Sequence, residues 1–171
     1  MKPIIFSAPM VRAILGGRKS QTRRVIKDIL VPEWPTAIQI KDNIKCAYDS
    51  DDRLLWVRET FYRHKHIGMK FSDEYEALPD NLKPYYRKCS SIFMSKWASR
   101  ITLKISDVRV ERLRDITLND VNAEGVGSTT FIDSWNGRHH FALLWDSINK
   151  KKHPWASNPW VWVIEFERVG S

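Results

Sequence analysis

Glycine is scarce, 7 among 171 residues. That argues against a fold built on glycine-rich phosphate loops and against a low-complexity chain. Cysteine is scarcer still. Cys46 and Cys89 have no ligand-forming neighbours in sequence, so they read as free thiols of a cytosolic protein rather than as a disulfide. No apolar run reaches the ~18 residues of a membrane span, and the stretch Met1 to Phe6 is too short for a signal peptide. The expected location is the cytoplasm, with no membrane partner. Acidic residues are also in deficit, 20 Asp and Glu against 28 Lys and Arg, which leaves a net charge of +8. A basic chain suits a polyanion such as nucleic acid, because each phosphate contact releases counterions. The same surplus also serves plain solubility.

Aromatic residues are plentiful at 12%, with eight tryptophans. They must fill a core or make a binding face. With 43% hydrophobic and 28% charged residues the composition is globular. At ~150 residues per domain the length suits one domain spanning 1–171.

Ile4 to Phe6 reads as a short strand. Ser7-Ala8-Pro9 opens a helix, with proline in the first turn where its missing N–H costs nothing. Met10, Val11, Ile14 and Leu15 repeat at helical spacing, and Gly16-Gly17 stops the helix. Residues 32–52 read as turns around a short strand near Ile38 to Ile40. Leu54 to Arg58 reads as a buried strand. Residues 62–99 show weak periodicity and are expected to form a long excursion with little regular structure. Ile101 to Leu113 is the clearest strand. Its apolar phase slips between Ile105 and Val108, which predicts a bulge or bend. Thr117-Leu118-Asn119-Asp120 resembles a capping box that starts a short helix ended by Gly125. Phe141, Leu144, Trp145 and Ile148 form an amphipathic helix stripe read as core. Lys150-Lys151-Lys152 closes that helix at its negative end. Trp160 to Phe166 is a last strand, with Trp160, Trp162, Ile164 and Phe166 on one face. The mixture is α+β, a small barrel with peripheral helices, and not a doubly wound sheet.

The sharpest local feature is Gly16-Gly17 followed by Arg18-Lys19-Ser20-Gln21-Thr22-Arg23-Arg24. Lys19 and Thr22 are three residues apart, close enough to converge in a turn. A buried lysine beside a hydroxyl can serve it as general base. The same spacing also fits a solvated basic loop that touches phosphates. His64, His66, His139 and His140 lack a carboxylate or cysteine at ligand spacing, so no metal site is expected. Tyr85, Tyr86, Phe93 and Trp97 alternate with Lys83, Arg87, Lys88, Lys96 and Arg100. They read either as a stacking surface with phosphate contacts or as a satellite core with a solvated face.

The pattern Gly17-Arg18-Lys19-x-x-Thr22-x-Arg24 after a first helix resembles the signature of the ASCH domain family. Asp115 to Gly125, ending in Glu124-Gly125, resembles that family's second block, and Trp160 to Arg168 its last strand. The opening Phe6 to Val11, together with Leu55 to Thr60 and Trp97 to Arg100, extends the likeness over nearly the whole chain, toward ASCH proteins common in phages and prophages. The resemblance implies a PUA-like β-barrel with helices at its edge, a long inserted region, and a cleft for RNA or a modified base. One bacterial branch is an N4-acetylcytidine amidohydrolase with threonine, lysine and glutamate at work. By motif these are Thr22, Lys19 and Glu124, the expected catalytic set. Arg18, Arg23, Arg24, Arg58, Lys96, Trp97 and Arg100 are the expected ligand contacts. The expected partner is RNA or a modified nucleoside, with single-stranded DNA as an alternative and no cofactor. A non-catalytic RNA- or partner-binding module and a ribonuclease remain the competing readings. Ser20-Gln21 within the signature and the 62–99 excursion depart from the small hydrolase branch.

Overall fold

The computed structural model describes residues 1–27, 36–48, 51–126 and 134–170, the last segment from residue 136 onward for side chains. The chain begins with β1 (Lys2–Ile5) and α1 (Ala8–Leu15), where Ser7 is the N-cap and proline sits in the first turn. Gly17 at φ +69° ends this helix, in a conformation that glycine enters cheaply. Next come β2 (Gln21–Val25), α2 (Ala37–Asn43) and β3 (Leu54–Arg58). The inserted region holds β4 (Phe61–His64), β5 (Gly68–Phe71), α3 (Ser72–Glu76) and β6 (Tyr86–Cys89). The remainder is β7 (Thr102–Arg112), α4 (Leu118–Ala123), α5 (Ser134–Asn149) and β8 (Trp160–Val169).

The fold is α+β. Five strands pair in the order β1-β3-β7-β8-β2, with β1 parallel to β3 and every other pair antiparallel. The expected small barrel is not completed by the strand pairing: among the described residues no backbone ladder joins the edges β1 and β2. The sheet still curls enough for the Arg24 guanidinium to donate to the Ile5 carbonyl at 2.8 Å. The curl has a visible source in β7. Its register against β8 shifts between Ile105 and Asp107, so Leu103, Ile105, Val108 and Val110 all reach the same core. An extra residue in one strand restores the apolar phase and bends the sheet.

β8 is buried on both faces. Trp162, Ile164 and Phe166 enter a large core with Ile4, Phe6, Val11 and Ile14. Val161 and Val163 enter a second core with Val121, Phe141 and Trp145. The stripe on α5 is core at Phe141 and Trp145, but Ile148 is 57% exposed.

Two further expectations differ from the structure. The segment near Ile38 to Ile40 is the helix α2, not a strand. Its start carries a capping box, in which Thr36 accepts from the Gln39 N–H and the Gln39 side chain accepts from the Thr36 N–H. Ile40 is the residue that it buries. Local capping therefore outweighed the β preference of two isoleucines. The region 62–99 is not largely irregular, because β4, β5 and β6 form their own antiparallel sheet in the order β5-β4-β6. Tyr62 and Tyr75 stack at 3.7 Å between ring centres. A small sheet braced by side-chain stacking leaves little helical or alternating pattern to read in sequence.

Gly125 sits at φ +74°, and a Cβ there would lie 2.9 Å from the Cβ atoms of Ala13 and Lys19. No side chain fits without moving α1 or the residues that lead into β2. Gly125→Ala is therefore expected to destabilise the fold by about 2–4 kcal/mol, from backbone strain and overpacking together. Urea unfolding of the two proteins measures it.

Candidate functional site

The basic stretch after Gly17 is not a solvated loop. Lys19 and Glu124 form an isolated antiparallel bridge, and the Ser20 N–H donates to the Ala123 carbonyl at 2.9 Å. The chain then continues as β2 along β8. This places the signature against the end of α4, so that Lys19, Gln21, Thr22, Arg23 and Glu124 are all buried. Arg18 remains exposed at the preceding turn.

Lys19 is 3% exposed. Its ammonium donates to the Gln21 carbonyl at 2.7 Å, the Glu124 carbonyl at 2.8 Å and Glu124 Oε2 at 2.8 Å. Those three bonds use all three N–H donors of a lysine. Burial pushes its pKa down, while the Glu124 carboxylate acts in the opposite sense. The second carboxylate oxygen, Glu124 Oε1, accepts from Arg23 at 3.3 Å. Arg23 also reaches Glu111 at 3.0 Å and Asp120 at 3.3 Å. Arg109 extends the network to Glu111 at 2.5 Å, Asp120 at 2.8 Å and Glu165. Burial disfavours the Asp120 anion. The bonds from Thr117 and the Arg23 charge outweigh that, and its pKa falls to about 2.

Beside this cluster lies an open cleft of about 910 Å³, lined by Phe6, Thr22, Arg24, Tyr48 and Glu124 among others. Thr22 is 4% exposed and is part of the lining. The Arg24 guanidinium lies 5.3 Å from the Phe6 ring centre and 5.9 Å from that of Tyr48. The structure thus brings Thr22, Arg24 and Glu124 to one cleft. It sets the Lys19 ammonium behind Glu124, and no bond from it to the Thr22 hydroxyl forms among the described residues. Arg23 belongs to the same group but is spent on carboxylates.

The other expected ligand contacts lie apart from the residues that line this cleft. Arg58 rests 4.7 Å over the Trp56 ring. Arg100 grips Glu59 at 2.9 and 3.0 Å and Asp73 at 2.6 and 3.0 Å, over the Phe71 ring at 4.0 Å. That pairing ties the small sheet to the main one. Lys96 is exposed, as are Trp97 at 83% and Phe93 at 74%, so these aromatics are surface and not a satellite core. Tyr86 differs from them, half-buried and edge-on to Tyr75. Ser91, at the start of the same segment, lines the cleft. His64 Nδ1 accepts from the His66 and Ile67 N–H groups and so caps its own turn.

Sequence reading missed Glu111, Arg109 and Asp120 as partners of the site, and Tyr48 as part of its wall. Arg109 and Glu111 carry only the weak signal of charged residues inside an apolar strand, and Tyr48 carries none.

Glu124→Ala would leave Lys19 and Arg23 buried without their shared anion, a loss expected to cost about 3–5 kcal/mol. Thermal or urea unfolding reads it directly. Asp120 adds a pH dependence. Its ordinary pKa near 3.9 falls to about 2 in the fold, so its stabilisation is complete above about pH 4 and is lost as pH falls through about 2. Asp120→Asn is expected to flatten that part of the stability profile, measured by unfolding between those pH values.

No protein-family model matches the chain, and no curated protein matches it by sequence. Among solved structures, the chain is similar to a crystal structure of an ASCH domain from Lactobacillus crispatus JV V101. The likeness covers 98% of this chain and 78% of that one, at 10% sequence identity and a TM-score of 0.48.

Proposed function

We propose that this chain is a single ASCH-type unit, of the phage kind and cytoplasmic, whose cleft binds a nucleobase and hydrolyses an N4-acyl amide on cytidine. The observation that carries the reading is the meeting of Thr22 and Glu124 in one cleft, with Glu124 fixed by a buried lysine 105 positions away in sequence. A solvated basic loop has no reason to build such a pairing. The cleft volume of about 910 Å³ lies in the ~300–1,000 Å³ range of small-molecule sites.

The chemistry balances. Lys19 has no free lone pair while it holds three acceptors. Passing one proton along its 2.8 Å bond to Glu124 frees the lone pair of the amine for the reaction. The amine then takes the Thr22 hydroxyl proton as Oγ attacks the acyl carbon. Glu124 returns its proton to the leaving cytosine amine, and the Arg24 guanidinium faces the oxyanion. Water next attacks the threonyl ester, releasing the carboxylic acid and restoring the hydroxyl. Arg58, Lys96 and Trp97 are proposed as contacts outside the catalytic end. Arg100, held by Glu59 and Asp73, braces the inserted sheet.

One observation favours a second reading, a base-binding module without turnover. All three Lys19 donors are filled, and none of them by Thr22. Incubation with N4-acetylcytidine, followed by mass spectrometry, separates the two. The hydrolase reading expects cytidine and acetate from the wild type and at least a ~10³-fold loss in Thr22→Val, since the nucleophile itself is gone. Base binding by Thr22→Val stays close to wild type. Equal rates in the two proteins would remove Thr22 as nucleophile, and no turnover by either would leave the binding module.

A further inference from the structure

The small sheet of the inserted region runs β5-β4-β6, so β6 is paired on one side only. In an antiparallel ladder, alternate residues aim their N–H and C=O groups away from the partner strand. Tyr86 gives its N–H to the Lys83 carbonyl at the preceding turn. Among the described residues, no backbone group outside β4 bonds the backbone of Arg87, Lys88 or Cys89. β6 therefore offers an open strand edge.

Strand register fixes the charges along that edge. Arg87 stands directly opposite Arg63 on β4, and Lys88 opposite Tyr62, whose other cross-strand neighbour is Lys70 on β5. Cross-strand partners share a face. One face thus carries two arginines side by side, and the other carries two lysines flanking a tyrosine. Arg63, Arg87 and Lys88 are exposed. The acidic residues between Phe61 and Ser106 are Asp73, Glu74, Glu76 and Asp80, and each is engaged elsewhere. Asp73 holds Arg100, Glu74 accepts the Phe71 N–H, Glu76 pairs with Arg12 and Asp80 with Lys83. Lysine on an exposed edge guards it against self-pairing. That accounts for Lys88 but not for Arg63, which lies on the central strand opposite a like charge. The chain on either side of β6 is apolar and exposed, with Tyr85 before it and Ile92 and Phe93 after it.

We infer that the β6 edge docks an acidic, extended segment of a partner protein, which adds a fourth strand to the small sheet. The backbone of that segment meets the open N–H and C=O groups. Its carboxylates meet Arg87 on one face, with Arg63 behind it, and Lys88 on the other. The planar guanidinium fork suits a carboxylate. A nucleic acid has no backbone that completes a strand edge, and a second copy of β6 would set cations against cations. Tyr86 to Cys89 are not among the residues that line the cleft, so the inference stands apart from the reading of that cleft.

The test uses the full chain and the peptide acetyl-Phe-Glu-Glu-Val-Glu-Glu-Val-Phe-amide, which puts two glutamates on each face of a strand. The comparison probes are the same peptide with Gln for every Glu, the same peptide methylated at every Glu backbone nitrogen, and pentacytidylate RNA. Fluorescence anisotropy reads binding, and amide exchange reads the place. The acidic peptide is expected to bind at least ~10-fold tighter than its Gln form in low salt, with the gap closing as salt screens the charges. Methylation is expected to cost at least ~10-fold, because it removes the donors of the added strand. Amide exchange is expected to slow within Tyr86 to Cys89. The double variant Arg87→Gln with Lys88→Gln, its fold checked by circular dichroism, is expected to lose about 5-fold or more. Lys41→Gln with Lys150→Gln removes the same charge from exposed positions elsewhere and is expected to bind as the wild type does. Equal losses in the two double variants, or no loss on methylation, would sink strand addition at β6. RNA binding that depends on Arg87 and Lys88, with no peptide binding, overturns the inference in favour of a nucleic-acid surface. A wild type that binds no peptide overturns it outright.

Discussion

The Glu124 carboxylate is the anion on which this arrangement turns. It sits at the end of α4 and accepts from Lys19 and Arg23, both buried and both at the start of β2. Buried ammonium and guanidinium groups are tolerated only when their donors are met. Removing this one anion would leave Lys19 without a carboxylate and Arg23 with Glu111 and Asp120 alone. Gly125 makes the approach possible, because no Cβ stands between the end of α4 and the backbone of Lys19. The cluster thus fixes where β2 begins, and with it the position of Thr22.

The charge balance of the interior explains the exterior. Lys19, Arg23 and Arg109 are matched by Glu124, Glu111, Asp120 and Glu165, three cations against four carboxylates. The buried network therefore carries none of the chain's net +8. That surplus stands on the outside, and part of it, at Lys27, Lys45, Lys151 and Lys152, lies among the residues that line the cleft.

The inserted region adds a second body of structure, and its Ser91 lines the cleft. Its three strands pair among themselves, and Arg100 joins them to the main sheet through Glu59 and Asp73. Burial raises the Glu59 pKa and the Arg100 bonds act against it, whereas bonds from the same guanidinium lower that of Asp73. One arginine thus holds two carboxylates in different environments. Met94, buried below the same segment, accepts the Glu59 N–H at its sulfur and lets Phe93 and Trp97 stand outward.

Periodicity and punctuation in the sequence determined the elements whose information is local: α1 between its proline and Gly17, the phase slip in β7, the capping box of α4, and the apolar face of β8 that carries Trp162, Ile164 and Phe166. Each is encoded by residues within a turn or a pleat of one another. α2 was equally local, and was hidden because two isoleucines imitate a strand while the Thr36–Gln39 box decides otherwise. The signature residues Lys19, Thr22 and Glu124 were legible as types but not as a geometry. Only the tertiary structure decided that Lys19 points to Glu124 and not to Thr22, that Arg23 is spent on carboxylates, and that Arg100 is a brace. It also decided that lysines from three segments are among the residues that line one cleft. The physical reason is that an ion pair is chosen by distance after folding. A lysine meets whichever carboxylate the packed backbone brings within reach, and nothing in the spacing of residues 19 and 124 records that choice.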